Sequence, residues 1–192
     1  IYAGTPESFA GATEHFNYKI PTDENCPFVV PDPKNLRWSY GNSKALGEQA
    51  VIASGIPYTI LRYFNVYGPG QKDHFISEFY NKIKKNKFEL EGYNNTRTFL
   101  YIDDAVKATE LLINNRKSRN QIFNIGGEQE IKIKYVAKLI MKLSKIKGNL
   151  KYLSHPEGSV LRRCPDISKI KKIVKFKVKT NLEDGLIKTL RI

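Results

Sequence analysis

The sequence predicts an α/β fold, because short apolar runs alternate along the chain with longer segments of helical periodicity. The clearest strand is Tyr58–Tyr63, which follows Pro57 and ends before the turn at Gly68-Pro69. The clearest helix is Ile133–Leu143, in which apolar residues recur every three or four positions. Strands that alternate with helices in this way favour a parallel sheet covered by helices.

The other elements follow from the same periodicities and from the Gly and Pro residues that interrupt them. The predicted strands are Ile1–Gly4, Tyr58–Tyr63, Lys87–Gly92, Ile122–Gly127 with its turn, and Leu150–Leu153. The predicted helices are Tyr40–Ser54, Asp73–Lys87, Ala105–Ile113, Ile133–Leu143, one that starts at Ile167, and a closing helix around Thr180–Leu186. Gly11–Pro33 contains four prolines and little periodicity, so we expect a loop there. The expected helix caps are Asp103, Asp104 and Asp166.

The composition bounds the class of protein. With 192 residues and 41% hydrophobic content, the chain can bury a real core. No apolar run approaches the length of a membrane span, and no signal-peptide pattern opens the sequence. The two cysteines, Cys26 and Cys164, lie far apart and lack a CxxC spacing, which predicts neither a disulfide framework nor a metal site. These features fit a reducing cytoplasm.

The formal net charge of +13 and the pI near 9.6 permit nucleic-acid binding. The basic residues are spread along helix faces, as in Lys82–Lys87 and Lys169–Lys175, where lysines alternate with apolar residues. We therefore interpret them as solvated faces of amphipathic helices and expect no nucleic-acid partner. A nucleic-acid-binding module is the weaker alternative, and binding that falls steeply with salt would distinguish it.

Tyr40 and Lys44 stand four residues apart in a predicted helix, so their side chains lie one above the other on the same face. A cation held beside a phenol favours the phenolate, which can then act as a base. Such a base suits removal of a proton from a sugar or alcohol hydroxyl while hydride leaves the same carbon. The spacing alone is weak evidence, because Tyr and Lys pairs also occur by chance on solvated helix faces.

Five further segments give the pair at Tyr40 and Lys44 its context. They are Ile56–Pro69, Thr96–Val106, Ile122–Gly127, Gly158–Lys169 and Thr180–Leu186. In this order they resemble the motifs of the extended short-chain dehydrogenase/reductases that act on nucleotide sugars. That family contains NAD-dependent nucleotide-sugar epimerases, dehydratases and decarboxylases.

The resemblance implies the second half of a doubly wound Rossmann-type parallel sheet with a smaller α/β substrate-binding part. Residues 1–70 would contain the catalytic helix and the C-terminal half of the NAD-binding domain. Residues 71–192 would mainly bind the nucleotide sugar, with 98–127 returning to the Rossmann sheet. The family's Gly-rich dinucleotide turn is absent from these residues, and Met141 is the only methionine. We therefore expect the first half of the nucleotide-binding fold to be missing.

Four residues would carry the chemistry in a protein of this family. The resemblance implies that Tyr40 is the base, that Lys44 promotes the phenolate and binds the nicotinamide ribose, and that Thr5 orients the substrate hydroxyl. Thr5 and Glu7 together match the family's Thr-x-Glu form. The structural alternative for Thr5 is that it caps a turn.

Further residues are expected to bind the cofactor and the substrate. The resemblance implies that Tyr63, Phe64 and Asn65, at the carboxyl end of the predicted strand, line the nicotinamide and the sugar, with the Asn65 amide bonding a phosphate or sugar oxygen. The structural alternative for Asn65 is support of the following turn. Arginines suit a diphosphate or a sugar carboxylate, because the guanidinium is a planar bidentate donor. The resemblance implies that Arg97 clamps the nucleotide diphosphate and that Arg163, with Arg162 as the near substitute, approaches the diphosphate or the sugar carboxylate.

The expected reaction is NAD-dependent modification of a nucleotide-diphosphate sugar through a 4-keto intermediate, with NADP as an alternative cofactor. Thr5, Glu7 and Arg163 favour decarboxylase-type chemistry, and epimerase-type chemistry stays open. Pro6 stands where the dehydratases carry a proton-donating Asp, so dehydration is less favoured. The family implies a homodimer. The alternative is a non-catalytic fragment or partner chain that lacks a complete cofactor site.

Overall fold

The computed structural model describes residues 1–155 and 159–192, so Gly158, the first residue of the Gly158–Lys169 motif, lies outside the described part. The strands in this part are β1 Tyr2–Gly4, β2 Thr59–Tyr63, β3 Val66–Tyr67, β4 Glu89–Glu91, β5 Thr96–Arg97, β6 Leu100–Tyr101, β7 Gln121–Ile125, β8 Ile131–Lys132, β9 Lys151–Leu153 and β10 Arg162–Arg163. The α-helices are α1 Ala10–His15, α2 Trp38–Ala53, α3 Phe75–Lys84, α4 Ile102–Ile113, α5 Ile133–Leu143, α6 Ser168–Val174 and α7 Leu182–Leu190. These elements confirm the predicted α/β class.

The main sheet has the strand order β1-β2-β7, and all three strands run parallel. Leu61 in the central strand pairs with Ala3 on one side and with Phe123 on the other. Residues 59–62 are buried, as expected for a strand covered on both faces. Parallel strands present their carboxyl ends at one edge of the sheet, and ligands of open α/β sheets bind at that edge. Thr5 and Tyr63 therefore lie near each other.

A second core lies outside this sheet. Helices α3, α5 and α7 bury Phe79, Ile140 and Leu186 in one cluster together with Leu90 of β4. We call these elements the helical region, and we call β1, β2, β7, α2 and α4 the sheet region. The two regions have separate hydrophobic clusters. In the sheet region, Leu61 and Phe123 pack with Leu112 of α4.

The sheet region leaves apolar side chains exposed. Among the described residues, β1 pairs with β2 alone and forms an edge of the main sheet. Leu46 on α2 is 71% exposed, and Val106 and Ile113 on α4 are 58% and 55% exposed. The helical region instead turns its apolar helix faces toward its own cluster.

The expectation of a loop over Gly11–Pro33 is wrong at its start. Helix α1 spans Ala10–His15, and its residues Ala10, Gly11 and Ala12 are buried. Ala12 packs in a cluster with Phe9 and Phe64. These small side chains carry almost no periodicity, so the helix depends on tertiary packing rather than on a local pattern.

The predicted caps of α4 are also wrong. The helix begins at Ile102, so Asp103 and Asp104 lie in its first turn instead of preceding it. The buried carboxylate of Asp104 accepts hydrogen bonds from the backbone N–H groups of Lys179 and Thr180. The helix expected to start at Ile167 begins at Ser168 with Ile167 as its N-cap, so Asp166 lies one residue before the cap, where its Oδ1 accepts from the Ser168 N–H at 2.8 Å.

Three properties of the described residues bear on function classes. Cys26 and Cys164 are both buried free thiols. No helix in residues 1–155 and 159–192 is long and apolar enough to cross a membrane. In the same residues, no group of three or more His, Cys, Asp or Glu side chains is arranged to hold a metal ion.

Candidate active site

A cleft of about 840 Å³ opens at the carboxyl edge of the main sheet, between the sheet region and the helical region. Its volume is within the range typical of small-molecule sites. Eight of the ten residues predicted from the sequence line this cleft: Thr5, Glu7, Tyr40, Lys44, Tyr63, Asn65, Arg97 and Arg163. The fold therefore brings together residues that are as many as 158 positions apart in the sequence.

Tyr40 and Lys44 enter the cleft from the first two turns of α2. Tyr40 is 53% exposed, so its phenol is accessible from the cleft. The Lys44 Nζ donates to the Ala3 carbonyl at 3.0 Å and lies 5.5 Å from the centre of the Tyr2 ring. Tyr2 in turn donates its hydroxyl to the Lys44 carbonyl at 3.2 Å. The Lys44 side chain thus links α2 to the edge strand β1.

Gly41 explains how α2 comes so close to the start of the chain. A Cβ atom at this position would lie only 2.5 Å from the Glu7 carbonyl oxygen. No side chain fits there without displacing the backbone of Glu7. The glycine that follows Tyr40 therefore lets the helix contact the short 3-10 turn Pro6–Phe9, which follows β1.

Thr5 combines the two roles that the sequence left open. It is the N-cap of the 3-10 turn Pro6–Phe9, where its Oγ1 accepts from the Glu7 N–H at 3.3 Å. The same residue lines the cleft beside Tyr40. Because the cap uses the oxygen as an acceptor, the hydroxyl proton stays available to donate to a ligand.

Glu7 joins two arginines from opposite sides of the cleft. Its Oε1 lies 2.6 Å from the Arg163 Nη2, and its Oε2 lies 3.5 Å from the Arg37 Nη2. Arg37 was not predicted as a site residue, although it precedes Tyr40 by three positions at the N-terminus of the same helix. That position beside the proposed base is the signal that could have identified it.

The strand pair β5 and β10 explains which arginines reach the cleft. Arg97 and Arg163 are direct partners in this parallel pair, so both side chains project from the same face. Burial lowers the pKa of Arg97 to about 10, and the neighbouring Arg163 charge adds to this effect. Arg97 remains a cation at neutral pH. The cleft is thus lined by three guanidinium groups, of which those of Arg37 and Arg163 pair with the Glu7 carboxylate.

Two predicted site residues lie outside the cleft. Arg162 is next to Arg163 in β10 and projects from the opposite face, where it binds Glu130 at 2.8 Å. Phe64 is 1% exposed and packs against Phe9 with ring centres 6.1 Å apart. Neither side chain is placed to touch a ligand in the cleft.

Tyr63 and Asn65 flank the buried Phe64 and do line the cleft. The Tyr63 hydroxyl forms a 2.7 Å hydrogen bond with the Thr109 hydroxyl. Asn65 has a φ of +40°, a left-handed conformation that Asn tolerates better than most residues. Its Nδ2 donates to the Thr98 carbonyl at 2.9 Å, so the amide also supports the turn.

Comparison with known proteins identifies the family of this chain. Residues 1–126 match the model of the NAD dependent epimerase/dehydratase family. The chain is 31% identical over 207 aligned positions to a UDP-N-acetyl-alpha-D-glucosaminuronate decarboxylase from Bacillus cytotoxicus, covering 100% of this chain and 62% of that protein.

Solved structures give the same result. The crystal structure of the UDP-glucose 4-epimerase from Thermotoga maritima with UDP-glucose matches with a TM-score of 0.83 and 26% identity, over 98% of this chain and 61% of that one. The UDP-glucuronic acid 4-epimerase from Bacillus cereus, in complex with UDP-glucuronic acid and NAD, also has a TM-score of 0.83, with 25% identity over 98% and 59% of the two chains. This chain thus spans about 60% of the length of these relatives. It belongs to the NAD-dependent epimerase/dehydratase family, with the Rossmann-type fold of its structural neighbours.

Proposed function

We propose that the complete protein is an NAD-dependent enzyme that modifies the sugar of a nucleotide-diphosphate sugar through a 4-keto intermediate. The observation that carries the proposal is one cleft that contains Tyr40, Lys44 and Thr5 together with the guanidinium groups of Arg97 and Arg163. The first three side chains suit proton transfer from a hydroxyl. The arginines suit the anionic groups of a nucleotide sugar.

The cleft fits the nicotinamide end of NAD or NADP by the chemistry of its side chains. The phenol of Tyr40, the ammonium of Lys44 and the amide of Asn65 supply donors and acceptors for a ribose and a carboxamide. Tyr63 adds an aromatic ring at the same edge of the sheet. When bound, the cofactor would take up a hydride from carbon 4 of the sugar.

Tyr40 would be the base in this reaction. Its phenolate would take the proton of the sugar 4-hydroxyl while the carbon-hydrogen bond at the same carbon breaks, which leaves a 4-ketone. Thr5 would donate its hydroxyl proton to the same sugar oxygen and orient it. Lys44 would supply the positive charge that favours the phenolate. In this structure its ammonium is bonded to the Ala3 carbonyl, which keeps it at the floor of the cleft.

The charges around Glu7 support a decarboxylase-type reaction, with an epimerase-type reaction as the second candidate. A sugar carboxylate at carbon 5 would be β to the new ketone, and a β-keto acid loses carbon dioxide readily. Arg163 and Arg37 could bind that carboxylate in place of Glu7. Pro6 lines the cleft where an acid would be needed for loss of water, which disfavours a dehydratase.

The experiment is direct. The protein expressed from its complete gene is incubated with UDP-glucuronic acid or UDP-glucose, and carbon dioxide and the product sugar are measured by NMR. Release of carbon dioxide supports the decarboxylase, and inversion at carbon 4 supports the epimerase. Absence of turnover with a panel of nucleotide sugars would favour the alternative, a non-catalytic fragment or partner chain without a complete cofactor site.

We also propose a cytoplasmic homodimer that contacts its partner through α2. The support is the exposed apolar surface of that helix, on which Leu46 is 71% exposed. Light scattering of Leu46→Glu tests the interface, since a dimer that persists in this variant would place the contact elsewhere.

A further inference from the structure

A buried ion pair joins the middle of α2 to the central strand of the sheet. The Arg62 Nε donates to the Glu48 Oε1 at 3.0 Å, and the Arg62 Nη2 donates to the Glu48 Oε2 at 2.8 Å. Their side chains are 3% and 0% exposed. The guanidinium lies about equally far from two aromatic rings, 5.1 Å from Phe9 and 5.2 Å from Phe28. Its Nη1 also donates to the Glu24 carbonyl at 3.0 Å.

Glu48 lies on the same face of α2 as the proposed catalytic pair. Tyr40, Lys44 and Glu48 recur every four residues, so they form one stripe along the helix. Tyr40 is at the cleft, Lys44 is bonded to Ala3 of β1, and Glu48 is bonded to Arg62 of β2. The stripe is therefore attached to both strands near the edge where the cleft opens.

The backbone of β1 is shaped to admit this contact. A Cβ atom at Gly4 would lie 2.5 Å from the Glu48 Oε1, and Gly4 is the register partner of Arg62. The carboxylate therefore sits directly against the strand residue that precedes Thr5. The contact thus joins α2 to the part of β1 that leads into Thr5.

The pair is poorly explained as a device for stability alone. Desolvation of two charges offsets most of their attraction, and hydrophobic replacements of buried pairs are often neutral or stabilising. A two-point contact between a guanidinium and a carboxylate is, however, strongly directional. It therefore restrains the direction of a helix more tightly than a non-directional apolar contact does.

We propose that Glu48 and Arg62 are positioning residues that set the direction of α2 and thereby hold Tyr40 and Lys44 in the cleft. The proposal rests on the proposed function of Tyr40. Tyr40 lies about 12 Å along the helix from Glu48. A change of about 5° in helix direction at the ion pair would thus move Tyr40 by about 1 Å, and a misplacement of that size costs on the order of 10²-fold in rate.

The test is the double variant Glu48→Leu/Arg62→Met in the protein expressed from its complete gene, which replaces the pair by apolar groups of similar size. We expect a cooperatively folded protein whose kcat falls by about 10- to 100-fold while its Kd for the nucleotide sugar changes less than about twofold. Arg62→Lys keeps the positive charge but loses the two-point contact of the guanidinium, so its kcat should lie between those of the wild type and the double variant. The matched control Glu128→Gln/Lys171→Gln removes an exposed pair and should leave kcat unchanged.

A wild-type kcat in the folded double variant would overturn the proposal. Equal loss of kcat and of nucleotide-sugar binding would also overturn it, because that result indicates a general structural role. If the double variant does not fold, the same comparison of kcat with Kd in Arg62→Lys decides. Full turnover by Tyr40→Phe would instead refute the proposed function itself, whatever the ion-pair variants do.

Discussion

The side of the cleft formed by β1 and α2 is held by close backbone packing, whereas the side formed by β5 and β10 is held by charge. On the first side, Gly41 lies against the Glu7 backbone and Lys44 is bonded to the Ala3 carbonyl. On the second, Arg163 is bonded to the Glu7 carboxylate and Arg97 lies beside it. On the basis of the proposed function, we infer a division of labour in which shape would place the reacting groups and charge would select an anionic ligand.

The largest expected effect is on the packed side. Tyr40→Phe keeps the ring and removes the proton acceptor, so we expect kcat to fall by about 10²- to 10⁴-fold. The Kd for the nucleotide sugar should stay nearly unchanged, as measured by calorimetry. The exposed Tyr135 offers a matched control, since Tyr135→Phe on α5 should leave kcat at its wild-type value. A Tyr40→Phe enzyme with undiminished turnover would rule out the division of labour.

The second effect concerns the 192 residues produced alone. They contain no Gly-rich dinucleotide turn, so they keep only the cleft contacts that we propose for the nicotinamide end. We expect NAD to bind with a Kd weaker than about 1 mM, and we expect association through the edge of β1 and the exposed Val106 and Ile113. A titration by calorimetry and light scattering measures both. A monodisperse monomer with micromolar affinity for NAD would contradict the prediction.

The third effect tests the attachment between α4 of the sheet region and the segment that leads into α7 of the helical region. Asp104 in α4 binds the backbone at Lys179 and Thr180, which lead into α7. Asp104→Ala leaves these N–H groups unpaired, and we expect it to lower the free energy of unfolding by about 1–3 kcal/mol. Its neighbour Asp103 is exposed, so Asp103→Ala should change the stability by less than about 0.5 kcal/mol. Equal urea midpoints for the two variants would show that this attachment carries no stability.

The smallest effect is on the charged side itself. Arg97→Lys and Arg163→Lys keep a cation but lose the bidentate fork, so we expect each to weaken nucleotide-sugar binding by about tenfold, or about 1.4 kcal/mol. Arg162→Lys is the matched control, because Arg162 lies on the opposite face of β10 and binds Glu130. Calorimetry gives the three Kd values. Unchanged affinity in both cleft variants would mean that the substrate lies elsewhere.

Local patterns were sufficient for most of the fold. Helix α5 has the bounds that its periodicity predicts, and the predicted strand Tyr58–Tyr63 differs from β2 by one residue. Helix α5 has strong apolar periodicity and the strand begins just after Pro57, and both signals depend on neighbouring residues only. Helix α1 was missed because its small residues have no such pattern and are ordered by contacts with Phe9 and Phe64.

The sequence by itself determined the family resemblance, the α/β class and the placement of Tyr40 and Lys44 on one helix face, because each depends on short spacings along the chain. Only the tertiary structure decided which charges meet. It placed Arg163 on Glu7, 156 positions away, and sent the adjacent Arg162 to the other face of β10. It also directed Asp104 to residues 179 and 180. The physical reason is that an ion pair or a buried hydrogen bond is selected by distance and desolvation in the folded chain, and neither is encoded in local periodicity.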